Sequence, residues 1–104
     1  DMIISGGFNI YPRDLEDALL KQPEVADAAV IGIPSKEWGE TPLGFVVAAG
    51  GEQLDLPAVC ARANAELGKT QRISALKQVE ELPRSHIGKI LKTALRDLVS
   101  SSSN

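Results

Sequence analysis

Val25-Ala26-Asp27-Ala28-Ala29-Val30-Ile31-Gly32-Ile33 and Leu43-Gly44-Phe45-Val46-Val47-Ala48-Ala49 decide how this chain folds. Both are nearly unbroken apolar runs, rich in small and β-branched side chains. Each is too short for a typical helix, so each is expected as a buried strand. Between them, Pro34–Pro42 reads as a polar loop containing Trp38-Gly39, and Gly50-Gly51 closes the second run. Upstream, Pro12 suits a first helical position, with Asp14, Glu16 and Asp17 near the positive end of the helix dipole. Leu15, Ala18 and Leu19 give that helix one apolar face, and Pro23 limits it to about three turns. Farther upstream, Met2–Ser5 and Phe8–Tyr11 read as short strands around a Gly6-Gly7 turn.

Downstream, Leu56, Val59, Cys60, Ala63 and Leu67 share a helical face, and Gly68 is placed as a stop. Lys69–Ser74 is a polar, partly basic loop. Ala75–Glu81 is a weaker and more exposed strand. Pro83–Ile87 makes a turn, and a last helix is expected to follow at once. There Ile90, Leu91, Ala94, Leu95 and Leu98 face inward, while Lys89, Lys92, Arg96 and Asp97 face solvent. Residues 100–104 read as a frayed polar tail. The order is β-β-α-β-β-α-β-α, without internal repeats. It predicts an α+β domain: a small three-stranded sheet plus a short N-terminal β-hairpin, packed with about three helices. Strand order does not follow from the pattern.

With 104 residues there is one domain and one modest core. A net charge of −3 gives no footprint for nucleic acid or an anionic membrane. No apolar run is long enough for a transmembrane segment. Cys60 is the single cysteine, so there is no disulfide framework, and a reducing, cytoplasmic compartment is expected. On its apolar stripe Cys60 is read as a packed small hydrophobe rather than a nucleophile. No Cys/His cluster supports a metal site. The chain opens at Asp1 directly into a strand, which reads as a cut inside a larger protein.

Two short segments carry chemistry. In Pro83-Arg84-Ser85-His86-Ile87-Gly88-Lys89-Ile90-Leu91-Lys92, a glycine turn that permits close approach stands beside one lysine at the expected mouth of the last helix. It is not a phosphate-binding P-loop, since the G-x-x-x-x-G-K-(S/T) spacing is absent. A cation opposes the dipole there, which makes Lys89 a candidate for holding an anionic ligand rather than only a solvated charge. In Ser5-Gly6-Gly7-Phe8-Asn9-Ile10-Tyr11-Pro12, paired glycines make a hairpin turn or, as bare backbone, line a narrow channel.

Taken together, these segments resemble the two ends of the small C-terminal domain of adenylate-forming acyl-CoA synthetases. The family's opening pattern is D-x-I-x-x-x-G-x-N-(I/V)-x-P-x-(E/D)-(I/L)-E. Asp1, Ile3, Gly7, Asn9, Ile10, Pro12, Asp14, Leu15 and Glu16 match it. The closing pattern L-P-(R/K)-x-x-x-G-K-(I/V/L)-x-(R/K) is matched by Leu82, Pro83, Arg84, Gly88, Lys89, Ile90 and Lys92. Val30 to Pro34 and Trp38-Gly39-Glu40 resemble the V-x-G-x-P-x-x-x-x-G-E segment between. The resemblance spans residues 1–99.

The resemblance implies a C-terminal mobile domain whose partner is its own N-terminal adenylation domain. ATP, brought with Mg²⁺, and a carboxylic acid substrate would react to acyl-adenylate, and coenzyme A would then displace AMP. Lys89 would be the catalytic lysine of adenylation, with Gly88 in its turn. Gly6 and Gly7 would line the pantetheine tunnel. Trp38 and Arg72 would bind the coenzyme A nucleotide by stacking and by charge. Arg72 lies in Lys69-Thr70-Gln71-Arg72-Ile73, which lacks the family's usual proline.

Phe8 after the glycines and the closing Gly-Lys-Ile-Leu are most like bacterial long-chain fatty acyl-CoA ligases. The domain alone would be inactive, and Lys89 is a candidate for a lysine acetyltransferase. His86, at a variable motif position, reads as a surface turn residue. Two alternatives remain: an adenylation-domain fragment of a peptide synthetase, and a free-standing binding module of the same fold.

Overall fold

The computed structural model describes residues 2–102. Asp1, matched in the opening pattern, lies outside them, as do Ser103 and Asn104 of the expected tail. The elements run β1 (Ile3–Ser5), β2 (Phe8–Ile10), α1 (Pro12–Leu20), β3 (Val25–Ser35), β4 (Gly39–Ala48), α2 (Leu56–Glu66), β5 (Ala75–Gln78) and α3 (Lys92–Ser102). The order is the one read from the sequence. The three-stranded sheet exists as β3–β4–β5, but the N-terminal hairpin joins it, giving one five-stranded mixed sheet. β1 pairs antiparallel with β2, and Ser5 of β1 pairs with Gly39 of β4. β3 and β4 form a long antiparallel ribbon from Val25↔Ala48 to Ser35↔Gly39. β5 runs parallel to β4, Leu43↔Ala75 to Val46↔Gln78, with α2 as the crossover.

The apolar runs are unbroken because both faces of the ribbon are covered. Ala28, Val30 and Val46 pack with Leu15, Leu19, Val59 and Ala63 of α1 and α2. Ala29, Ile31, Leu43 and Phe45 pack on the other side with Leu82 and with Leu95 of α3. Burying each of these larger side chains contributes about 1.5–3 kcal/mol.

Pro34–Pro42 is not a loop. β3 and β4 extend through it and turn only over residues 36–38. Pro34 is tolerated because β3 is an edge strand. The Pro42 carbonyl accepts from Ser74 N at 3.0 Å, so its missing N–H faces the place where β4 changes neighbours from β1 to β5.

α1 begins at Pro12 as expected and buries Pro12, Leu15, Ala18 and Leu19. α2 is capped by the Asp55 carboxylate accepting from Ala58 N at 3.2 Å. It ends at Glu66, where Leu67 turns extended, so Gly68 is not the stopping residue. The last helix differs most from expectation. It starts at Lys92, not at Lys89, and its backbone carries on through Ser100–Ser102. Only Leu95 of its apolar residues is fully buried, with Ile90 and Val99 partly buried beside it. Leu91 and Leu98 are exposed. The helix meets the sheet along one narrow line through positions 95 and 99, because it covers an edge strand rather than the sheet centre.

Candidate functional site

Lys89 stands in a small hairpin rather than at a helix mouth. Residues 83–91 close on themselves: Leu91 N donates to Pro83 O at 2.8 Å, and Arg84 bridges Ile90. Ser85 N donates to Lys89 O at 2.8 Å, and Gly88 N donates to Ser85 O at 2.9 Å. Gly88 has φ +88°, the left-handed conformation that finishes such a turn and that other residues adopt only at a cost. His86 and Ile87 occupy the tip, in agreement with the surface reading of His86. The Lys89 side chain is exposed, and its ammonium makes no ion pair among the described residues. With α3 beginning three residues later, the helix dipole is not what distinguishes this lysine. A rigid turn that holds the cation out does so instead.

Arg84 braces the turn from inside. Its Nη1 donates to the Gly88 carbonyl at 2.8 Å, and its Nη2 pairs with Asp27 of β3. The hairpin is therefore tied to the Val25–Asp27 end of the β3–β4 ribbon.

At the other end Gly6 lies against Trp38, and Trp38 and Arg72 line one groove. Trp38 lies in the β3–β4 turn, and its carbonyl accepts from Gly6 N at 2.8 Å. Gly6 has φ +58°, and a Cβ there would stand 2.6 Å from Trp38 Cε3. The indole thus lies against bare backbone, a contact open only to glycine. Gly7 completes the β1–β2 turn facing open space. A groove of about 460 Å³ runs past this corner, bounded by Phe8, Trp38, Thr41, Lys69, Arg72 and Ser74. Trp38 and Phe8 remain 52% and 54% exposed, so aromatic surface and two cations border the same space. From Asp27 to Ser35 a strand spans about 26 Å, which separates this corner from the Lys89 hairpin. A slightly larger cavity, about 520 Å³ at Val47, Gly51 and Gln78, contains none of the candidate catalytic or binding residues.

A family model described as "AMP-binding enzyme C-terminal domain" matches residues 14–89. This chain belongs to that family. It is 43% identical over 94% of its length to a 3-[(3aS,4S,7aS)-7a-methyl-1,5-dioxo-octahydro-1H-inden-4-yl]propanoyl:CoA ligase of Mycobacterium tuberculosis, covering 19% of that protein. To a 2-succinylbenzoate–CoA ligase of Bacillus cereus it is 40% identical over 95% of the chain and 20% of the relative. The fold superposes on the Mycobacterium tuberculosis fatty acyl CoA synthetase with TM-score 0.88 and 37% identity, over 98% of this chain and 20% of that one. The chain thus spans about a fifth of the length of these proteins.

In this AMP-binding enzyme C-terminal domain, several side chains have roles that the sequence reading missed. Lys92, read as solvated, is half-buried and pairs with Glu16 at 3.0 Å. The same Glu16 carboxylate accepts from Val30 N at 2.9 Å, occupying an edge donor of β3. One residue of the opening motif and one of the closing motif thus join α1, β3 and the start of α3. Glu40 accepts from Ile4 N at 3.1 Å and fixes the N-terminal hairpin to β4. Gln71 accepts from Tyr11 N at 3.3 Å and donates to Asp14 at 3.2 Å, docking the Lys69–Ser74 loop on α1. Glu16 and Lys92 both stand at motif positions, but only the fold shows that they form a pair.

Cys60 is packed, as expected. Burial pushes its thiol up, only partly offset by the Arg72 charge and a hydrogen bond from Asn64. Among the described residues no His/Cys/Asp/Glu group could hold a metal, and no helix is long and apolar enough to cross a membrane.

Proposed function

We propose that this chain is the mobile C-terminal domain of an ATP-dependent acid–CoA ligase. It would act with its own N-terminal adenylation domain, which would hold ATP, Mg²⁺ and the acid. In the first half-reaction a carboxylate oxygen attacks the α-phosphorus and the bond to pyrophosphate breaks. The Lys89 ammonium neutralises charge shared among carboxylate and phosphate oxygens as that displacement proceeds. In the second, the coenzyme A sulfur attacks the acyl carbonyl and AMP leaves. Bare backbone at Gly6-Gly7 admits the pantetheine arm, Trp38 offers a stacking face to adenine, and Arg72 offers charge to phosphate.

One observation carries this reading: Lys89 and the Gly6–Trp38–Arg72 groove stand at opposite ends of one rigid ribbon. A domain that turns between half-reactions needs two such separate surfaces. We further propose a fatty acid as the substrate class, a cytoplasmic location, no activity for the isolated domain, and an exposed Lys89 open to acetylation, which would remove its charge.

The test is Lys89→Ala in the full-length enzyme. Pyrophosphate–ATP exchange is expected to fall about 10²–10³-fold, while thioester formation from supplied acyl-adenylate stays within a few-fold. Exchange near the wild-type rate removes Lys89 from the reaction. A panel of acids tests the substrate class, and faster turnover of aryl than of long-chain acids rejects it.

A further inference from the structure

β3 and β4 are in register except at one place, where the pairing passes from Val25↔Ala48 to Asp27↔Val47 and leaves Ala26 as an extra residue. Val25 packs with Ala28 and Val30 on the α1/α2 face. In a regular strand Val25 and Ala28 would point to opposite faces. The bulge removes that conflict. Val25 stays in one core, while Asp27 turns to the opposite face, where Leu82 and the Lys89 hairpin pack. Asp27 meets Arg84 there, and Arg84 in turn holds the carbonyl of Gly88, the residue before Lys89.

The pair is open to solvent, with side chains 43% and 30% exposed, so it adds little to stability. Its geometry is specific. A guanidinium fork spans a carboxylate on the sheet and a carbonyl in the turn, which a lysine's single ammonium cannot do in the same way. We propose that Asp27 and Arg84 are positioning residues for adenylation: they set the height and angle at which the turn presents Lys89. This rests on the assignment of Lys89 above. Neither residue needs to touch substrate, because a displacement of about 1 Å in a catalytic group suffices to slow a reaction roughly 10²-fold.

The experiment uses the full-length enzyme with Arg84→Met, Arg84→Lys, Asp27→Asn and the Arg84→Met/Asp27→Asn double variant, beside Lys89→Ala. Arg84→Met is expected to lower kcat of pyrophosphate–ATP exchange about 10–100-fold. KM values for ATP and acid should stay within about two-fold, and thioester formation from supplied acyl-adenylate should be unchanged. Arg84→Lys should recover part of the rate. The double variant should be no slower than Arg84→Met alone, since both changes break one relay.

Equal loss in both half-reactions, or exchange unaffected by Arg84→Met, overturns the proposal. If Arg84→Met does not fold, Asp27→Asn decides by the same split. Normal exchange in Lys89→Ala would instead remove the reading beneath it. Loss in Lys89→Ala without loss in the Arg84 and Asp27 variants would remove only the relay.

Discussion

At the Asp27 end of the β3–β4 ribbon a cation is held out by directed polar bonds: Arg84 to Asp27, Arg84 to Gly88 O, and Ser85 to Lys89 O. At the Ser35 end polar bonds brace backbone rather than a projecting charge: Gly6 N donates to Trp38 O, and Trp38 N to Ser35 Oγ. Trp38 lies on the Gly6 backbone, Phe8 is uncovered, and the groove between them is bounded by flat apolar surface and by Lys69 and Arg72. The difference follows from what each end is proposed to do. A point charge in a transition state must be fixed in distance, and hydrogen bonds are directional. A flexible arm must slide past, and contact with bare backbone and aromatic faces is tolerant of position. The same sheet thus supports a rigid end and a permissive one.

Substitutions can break this contrast. Lys89→Ala should have the largest effect, confined to adenylation, and the Arg84 and Asp27 variants should follow it on the same side. Gly6→Val is its mirror image. The new side chain meets Trp38 Cε3 in a left-handed backbone conformation. Thioester formation from acyl-adenylate should fall about 10²-fold while pyrophosphate exchange is kept; equal loss in both would mean that the corner is only structural.

Trp38→Ala is expected to raise KM for coenzyme A about 10-fold, the scale of one lost base–aromatic stack, with exchange unaffected. An unchanged KM would leave the indole as a cover for Gly6. The smallest effect belongs to neither end. Lys92→Met removes a half-buried partner of Glu16 at the root of α3. Urea denaturation should show a loss of about 1 kcal/mol, with both half-reactions slowed equally and little. A selective loss of adenylation would extend the positioning network from the hairpin into α3.

The parts of the fold legible in sequence are those governed by neighbours along the chain. Pro12, the Leu15-Ala18-Leu19 spacing and the two apolar runs suffice for α1, β3 and β4, because a helical-period stripe and an unbroken apolar run too short for a helix are both set by neighbours along the chain. Misreadings fell where a neighbour far along the chain overrides local signals. Pro34 and Pro42 look like loop residues, yet one stands on an edge strand and the other where β4 changes partners. Gly88-Lys89 looks like a helix entrance, yet contacts of Arg84 with Asp27 and Gly88 make a hairpin there instead. The inward face of α3 is narrower than its apolar spacing predicts, since an edge strand covers only a narrow line of it.

By itself the sequence determined the order of elements, the two-sided burial of β3 and β4, and a lysine and a glycine pair in motifs at either end of the chain. It also carried the family, since the motif spacings survive without a structure. Tertiary structure alone decided that Gly6 packs on Trp38 beside the groove that Arg72 also lines, that Lys89 stands at the other end of the ribbon, and that Asp27 braces its turn. Those facts depend on strand register and on contacts between residues tens of positions apart, such as Arg84 with Asp27 and Gly6 with Trp38. Such contacts are fixed only when the core forms, because a one-residue change in register would send every side chain of the ribbon to the opposite face.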